Sequence, residues 1–225
     1  MAGLRIIFFD AAGTLIGLPQ GVEHHYCEVA RRHGREFDPT VMHEAFRMAW
    51  KEAEPPQTTR APREDDDKGW WRRLVDRVLD HCDLSRRGDF DRDAYFEDLY
   101  AEFSKPGVWD VFPETREVLA TLSQRFELGI ISNFDRRLRT ILSELELESH
   151  FRHVVISSEV GADKPDRWIF EEALRRAGVE ATEALHVGDE PSADWEGASR
   201  AGLRVFPLRR PQGTLRELAA LLEHQ

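Results

Sequence analysis

The sequence predicts an α/β fold, a Rossmann-like parallel sheet core with an inserted helical domain. Three observations lead there. Short apolar runs recur and stop at polar or small residues, helical patterns alternate with the later runs, and one long stretch after the first run carries helical patterning only. Leu4 to Phe9 reads Leu-Arg-Ile-Ile-Phe-Phe and stops at Asp10, before the small-residue turn Ala11-Ala12-Gly13-Thr14. That is a buried strand running into a loop.

The next stretch, Ile16 to Gly107, holds no convincing strand, while Val22–His33, Thr40–Ala53, Lys68–Cys82 and Arg92–Phe103 carry helical spacing. The domain boundaries follow: residues 16–107 form an inserted helical domain, and residues 1–15 with 108–225 form the α/β core. Inside the insertion, Pro55-Pro56-Gln57-Thr58-Thr59-Arg60-Ala61-Pro62 followed by Glu64-Asp65-Asp66-Asp67 reads as a solvated loop with an acidic end. The acidic run lacks the spaced ligands and the glycine of a calcium loop.

Beyond the insertion, Thr115–Phe126 places Val118, Leu119 and Leu122 on one helical face. Strand patterns then recur at Leu128–Ser132, His153–Ser157, Ala184–Gly188 and Leu203–Leu208. Leu138–Leu147 and Trp168–Ala177 are the helices between them, with Gly178 stopping the second. Alternation of this kind gives a parallel sheet covered on both faces, whose ligands bind at the carboxyl ends of its strands.

Composition bounds the function classes. The chain has 225 residues, 41% of them hydrophobic, so disorder is excluded. With 31 basic against 42 acidic side chains the net charge is -11, which argues against a nucleic-acid or anionic-membrane partner, although a local basic pocket can still hold a phosphate. Cys27 and Cys82 have no metal-ligand spacing and read as buried helix thiols, ordinary for a reducing compartment. No apolar run is long enough to span a bilayer and the first residues lack a leader pattern, so a soluble cytoplasmic protein is expected. His24-His25 reads as a solvated pair, and Trp50, Trp70, Trp71 and Trp109 as packing residues. Oligomeric state is not legible.

The polar residues at the expected strand ends converge. Asp10 and Thr14 follow the first strand, Ser132-Asn133 the second and Gly188-Asp189 the fourth, with Asp194 shortly after; Lys164 lies in the loop after the third. Carboxylates sharing a low-dielectric cleft raise one another's pKa. Asp10, Asp189 and Asp194 together therefore imply a cation beyond Lys164, and a hard divalent ion such as Mg²⁺ suits oxygen ligands that share it with a phosphate.

These residues resemble the motifs of the haloacid dehalogenase superfamily. The first motif, DxDGT at a strand end, corresponds to Asp10-Ala11-Ala12-Gly13-Thr14; the second to Ser132-Asn133, the third to Lys164-Pro165, and the acidic fourth to Gly188-Asp189 through Asp194. All occur in order. The detail around Ser132 to Arg137 and Ser158-Glu159-Val160-Gly161 is most similar to the hydrolase domain-containing protein 3 group, and the inserted helices occupy the place of the family's C1-type cap.

The resemblance implies a hydrolase in which Asp10 is the nucleophile toward a small phosphorylated metabolite, forming an aspartyl phosphate that water hydrolyses. Mg²⁺ would be held by Asp10, the backbone carbonyl of Ala12 and Asp189, with Asp194 supporting the site. Ser132 and Lys164, with the backbone N–H groups of the Gly13-Thr14 turn and with Asn133 beside them, would bind the phosphoryl oxygens. Arg136 and Arg137 read as helix-start arginines, of which one could meet a substrate anion.

One role is missing. The family's phosphatases carry a second Asp two residues after the nucleophile as acid and base, and this chain has Ala12. Loss of a positioned acid/base costs on the order of 10² to 10⁴ in rate. Weak phosphatase activity on good leaving groups is expected. A non-catalytic metal- and phosphate-binding relative, a phosphonatase using a Schiff base on Lys51 or Lys68, and a metal-free dehalogenase are the alternatives.

Overall fold

The computed structural model describes residues 3–82 and 90–223. In chain order its strands are β1 (Ile6–Phe9), β2 (Ile16–Gly17), β3 (Asp110–Val111), β4 (Glu127–Ser132), β5 (His153–Ile156), β6 (Ala184–Gly188) and β7 (Arg204–Pro207). The helices are α1 (Val22–Arg32), α2 (Pro39–Glu52), α3 (Lys68–Cys82), α4 (Arg92–Glu102), α5 (Thr115–Leu122), α6 (Arg137–Glu144), α7 (Ser157–Val160), α8 (Arg167–Ala177), α9 (Gly197–Arg200) and α10 (Leu215–Glu223).

The main sheet has the order β5-β4-β1-β6-β7, and every pairing is parallel. β1 lies at its centre, with Phe9 in register with Ile130 on one side and Val187 on the other. A strand flanked by neighbours and covered on both faces must be apolar throughout, and Ile6, Ile7, Phe8 and Phe9 are all fully buried. On one face Ile6, Phe8, Ile131 and Val155 pack with Ile169, Phe170 and Ala173 of α8.

Residues Met1–Gly17, Gln57–Asp66 and Asp110–Gln225 form one compact unit, and Leu18–Pro56 with Asp67–Trp109 form a second. The helical unit has its own core, in which Tyr26, Met42, Leu74, Val78, Tyr95 and Leu99 are buried. The Tyr95 hydroxyl donates to the Tyr26 carbonyl at 3.1 Å, so the only polar atom of that buried side chain is satisfied. Two of its helices start on aspartate caps: Asp38 accepts from the Thr40 and Val41 N–H groups with Pro39 at the first helical position, and Asp91 accepts from Asp93 and Ala94.

Some features depart from the expectations of the sequence. Ile16–Gly17 and Asp110–Val111 pair antiparallel as β2 and β3, a ribbon too short to carry a period. Gln57–Asp66 belongs to the α/β unit and divides the expected continuous insertion, because its backbone and side chains bond to that unit. His25 is buried where a solvated pair was expected, on the inward face of α1, while His24 is exposed. Of the two thiols expected to be buried, Cys82 at the end of α3 is only partly covered. Among the described residues, no helix is long and apolar enough to cross a membrane.

Candidate active site

The carboxyl ends of β1, β4 and β6 bring Asp10, Ser132 and Asp189 together, as parallel strands in register must. Asp10 Oδ1 accepts from Ser132 Oγ at 3.0 Å and from Lys164 Nζ at 2.7 Å. Lys164 Nζ also donates to Asp194 Oδ1 at 2.6 Å. The same oxygen meets His186 Nε2 at 2.9 Å, and Asp194 Oδ2 accepts from the Glu190 N–H at 3.0 Å. Asp194 sits in a π turn, Pro191–Glu196, that aims it back at the strand ends.

Carboxylate oxygens of Asp10, Asp189 and Asp194 lie within 4.8 Å of one another. Burial and the neighbouring Asp194 charge outweigh Lys164 and push the Asp10 carboxyl up to about 6. Asp189 is raised for the same two reasons, against the hydrogen bond from Thr14. Burial would raise Asp194 too, but Lys164 and His186 overcome it and hold that carboxyl far below the usual range. Burial alone would lower Lys164, and the Asp10 and Asp194 charges reverse this and keep the ammonium charged. One lysine thus faces three carboxylates. An all-oxygen donor set with a deficit of positive charge fits a hard divalent cation such as Mg²⁺.

The first loop is shaped by its neighbours. Gly13 has φ +86°, and a Cβ there would fall 2.4 Å from Asp189 Oδ2, so only glycine lets the turn approach the fourth-motif carboxylate. Thr14 Oγ1 donates to Asp189 Oδ1 at 3.0 Å. The resemblance to the family implies that the backbone N–H groups of Gly13 and Thr14 bind the substrate. The fold uses them in the turn itself, Gly13 N–H on the Ile16 carbonyl at 2.8 Å and Thr14 N–H on the Ala11 carbonyl at 3.3 Å. Asn133, expected beside the phosphoryl group, clamps Lys164: its Nδ2 donates to the Lys164 carbonyl at 2.9 Å and its Oδ1 accepts from the Lys164 N–H at 2.6 Å. Arg137 closes on the buried Asp135 through Nε at 2.9 Å and Nη2 at 2.6 Å, and Arg136 gives its backbone N–H to Asp66 Oδ2 at 3.0 Å.

Other contributors were not signalled by the sequence. His186 lies inside a strand, where a lone histidine reads as a core residue, yet it is fully buried against Asp194. Arg210 Nη2 donates to the Thr14 carbonyl at 2.9 Å and to Glu114 Oε1 at 2.7 Å, anchoring the first loop from the far end of the chain. Arg63, Asp66 and Asp67, inside what reads as a solvated acidic loop, are wholly or partly buried, and Asp66 accepts from Ser158 Oγ at 2.6 Å. Of the two lysines weighed for a Schiff base, Lys51 is exposed and Lys68 is ion-paired to Glu97 at 2.7 Å.

Known proteins resemble this chain in sequence and in fold. A family model described as haloacid dehalogenase-like hydrolase matches residues 4–202. The haloacid dehalogenase-like hydrolase domain-containing protein 3 of Danio rerio is 33% identical over 224 residues, 98% of this chain and 91% of that protein. A glyceraldehyde 3-phosphate phosphatase of Methanopyrus kandleri is 39% identical over 99 residues, 42% of each chain. Among solved structures, the magnesium-bound HAD-hydrolase YfnB of Bacillus subtilis superposes with a TM-score of 0.79 at 18% identity, covering 99% of this chain and 100% of that one.

Proposed function

The chain belongs to the haloacid dehalogenase-like hydrolase family, and from that premise we propose that it is a Mg²⁺-dependent phosphomonoester hydrolase with Asp10 as nucleophile. The observation that carries this reading is the convergence of Ser132 Oγ and Lys164 Nζ on Asp10, with Asp189 and Asp194 alongside. The phosphatase name of the Methanopyrus relative supports the phosphoryl substrate class.

An Asp10 oxygen attacks phosphorus in line, forming the aspartyl phosphate as the bond to the leaving oxygen breaks. Water then attacks the same phosphorus, releasing inorganic phosphate and restoring the carboxylate. Ser132 and Lys164 donate to the phosphoryl oxygens, where charge spreads in the transition state. Asp10, the Ala12 carbonyl and Asp189 would hold Mg²⁺, which supplies the positive charge that lets an anionic nucleophile meet an anionic phosphate. Asp194, with both oxygens already engaged by Lys164, His186 and Glu190, supports the site by holding Lys164. Asn133 fixes the backbone of that lysine.

Ala12 offers a methyl group where proton transfer to the leaving oxygen is needed. The substrates are therefore small phosphorylated metabolites whose leaving group departs without a proton, such as acyl or aryl phosphates. The same methyl group favours a second reading, a metal- and phosphate-binding relative without turnover.

Phosphate release from p-nitrophenyl phosphate tests the proposal. Slow Mg²⁺-dependent release, abolished in Asp10→Asn, is expected, and Ala12→Asp should raise the rate on poor leaving groups by about 10² or more. Wild type and Ala12→Asp equally inert across phosphate esters, with Mg²⁺ still bound, would replace it with the binding reading.

A further inference from the structure

We propose that Arg63 is a positioning residue for Lys164, acting through a strap, Gln57–Asp66, that grips the loop bearing that lysine. The proposal rests on the phosphatase reading for the role of Lys164, and the geometry of the grip is independent of it. Arg63 is 8% exposed and ion-pairs with Asp163, the residue before Lys164. On the other flank, Thr58 Oγ1 donates to Asp166 Oδ2 at 2.9 Å, and Asp166 Oδ1 caps α8 by accepting from the Trp168 N–H at 2.9 Å.

The backbone is held as well as the side chains. Thr59 and Arg60 give their N–H groups to the Gly161 carbonyl at 2.8 and 3.2 Å, and the Arg63 N–H donates to the Ser158 carbonyl at 2.8 Å. The Arg60 guanidinium lies 5.4 Å from the Trp168 ring centre. At the end of the strap Asp66 takes hydrogen bonds from Ser158 Oγ and the Arg136 N–H, so the strap also touches the loop that follows the strand carrying Ser132.

The core loop is built to receive this segment. Gly161 has φ +69°, and a Cβ there would fall 2.1 Å from the Ala61 carbonyl oxygen and 2.2 Å from Thr59 Oγ1. No side chain fits between strap and loop. The segment 161–166 is thus fixed by the strap at Gly161, Asp163 and Asp166 and by Asn133 at the Lys164 peptide. Its one long cation, 5% exposed, must reach both Asp10 and Asp194. With Arg63 gone, the partly buried Asp163 carboxylate loses that cation and that flank of the loop is free to shift. A displacement of about 1 Å at a group that binds the transition state costs up to about 10² in rate.

The chain has lysines only at positions 51, 68, 105 and 164, so the Lys164 ammonium can be followed directly. In full-length protein labelled with [¹⁵N]lysine, its Nζ resonance is identified by its loss in Lys164→Met. Arg63→Met is expected to shift or broaden that resonance and to lower kcat on p-nitrophenyl phosphate by roughly ten- to a hundredfold. Arg63→Lys, which keeps a cation beside Asp163, should restore much of both. If Arg63→Met does not fold, the near-isosteric Asp163→Asn breaks the same pair and is judged by the same two readouts. A folded variant lacking the pair with an unmoved Lys164 resonance overturns the proposal. A moved resonance in a protein that never releases phosphate keeps the positioning role and removes the phosphatase reading instead.

Discussion

Lys164 shows how individual residues at this site depend on partners far away in the chain. Asp10 and Asp194 keep its ammonium charged against burial, its peptide is fixed by Asn133, and its flanks are bonded by Arg63 and Thr58. Gly161 gives a stability prediction at this scale. Gly161→Ala must carry a left-handed backbone and a Cβ against the strap, so a loss of at least about 1 to 3 kcal/mol in urea unfolding is expected. Unchanged stability would mean that strap and loop do not approach as described. Asp10, Ser132, Lys164 and Asp189 were legible because each follows a strand pattern within a known order of motifs. Arg63 and His186 were not: one pairs across 100 positions in sequence, and the other occupies a strand position whose partner is set by a π turn. Neither contact leaves a local pattern.

Among the elements, strands and helices whose period is sustained were read nearly to their ends, β6 and α3 without any difference. α5 stops at Leu122, short of the expected Phe126, because its last residues fold into a turn. The two-residue β2 and β3 have no period to read, and α10 follows a loop beyond the last expected strand. Burial of His25 on α1 carries a consequence for pH. Burial and the neighbouring His24 lower its pKa from 6.5, and the opposing Glu102 of α4 and Glu23 of its own helix do not compensate. Glu102 already accepts from Arg32 at 2.7 Å and Lys105 at 2.8 Å, and sits 3.8 Å from His25 Nδ1. As pH falls below 6.5 the unfolded chain takes up a proton that the folded helix refuses, so stability declines toward the lowered folded value. This contribution is full above 6.5 and is lost on acidification. His25→Gln should flatten unfolding free energy between pH 7.5 and 5.5, by at most about 1.4 kcal/mol per pH unit. An unchanged slope would assign the acid sensitivity elsewhere.

For the whole molecule, a net charge of -11 gives Mg²⁺ two ways to stabilise the protein, diffusely over an acidic surface or at the strand ends. The division into two units with separate cores makes these distinguishable. A cation bound by Asp10 and Asp189 stabilises the α/β unit by mass action, about 2.7 kcal/mol at a hundredfold excess over Kd. Amides of β1 and β6 that exchange through opening of that unit should then slow by about a hundredfold. Amides in the helical unit's core around Tyr26 and Tyr95 that open within that core have no such carboxylate cluster among the described residues and should keep their rates. Asp189→Asn should abolish the β1 and β6 effect, since it removes a ligand while making the net charge less negative by only one unit. Hydrogen exchange with Mg²⁺, compared with NaCl at matched ionic strength, measures this. Protection spread evenly over both units and surviving Asp189→Asn would assign the effect to the surface charge and leave the acidic cluster without a bound ion. Protection confined to β1 and β6 and lost in Asp189→Asn would place the ion beside Asp10 whether or not phosphate is ever released.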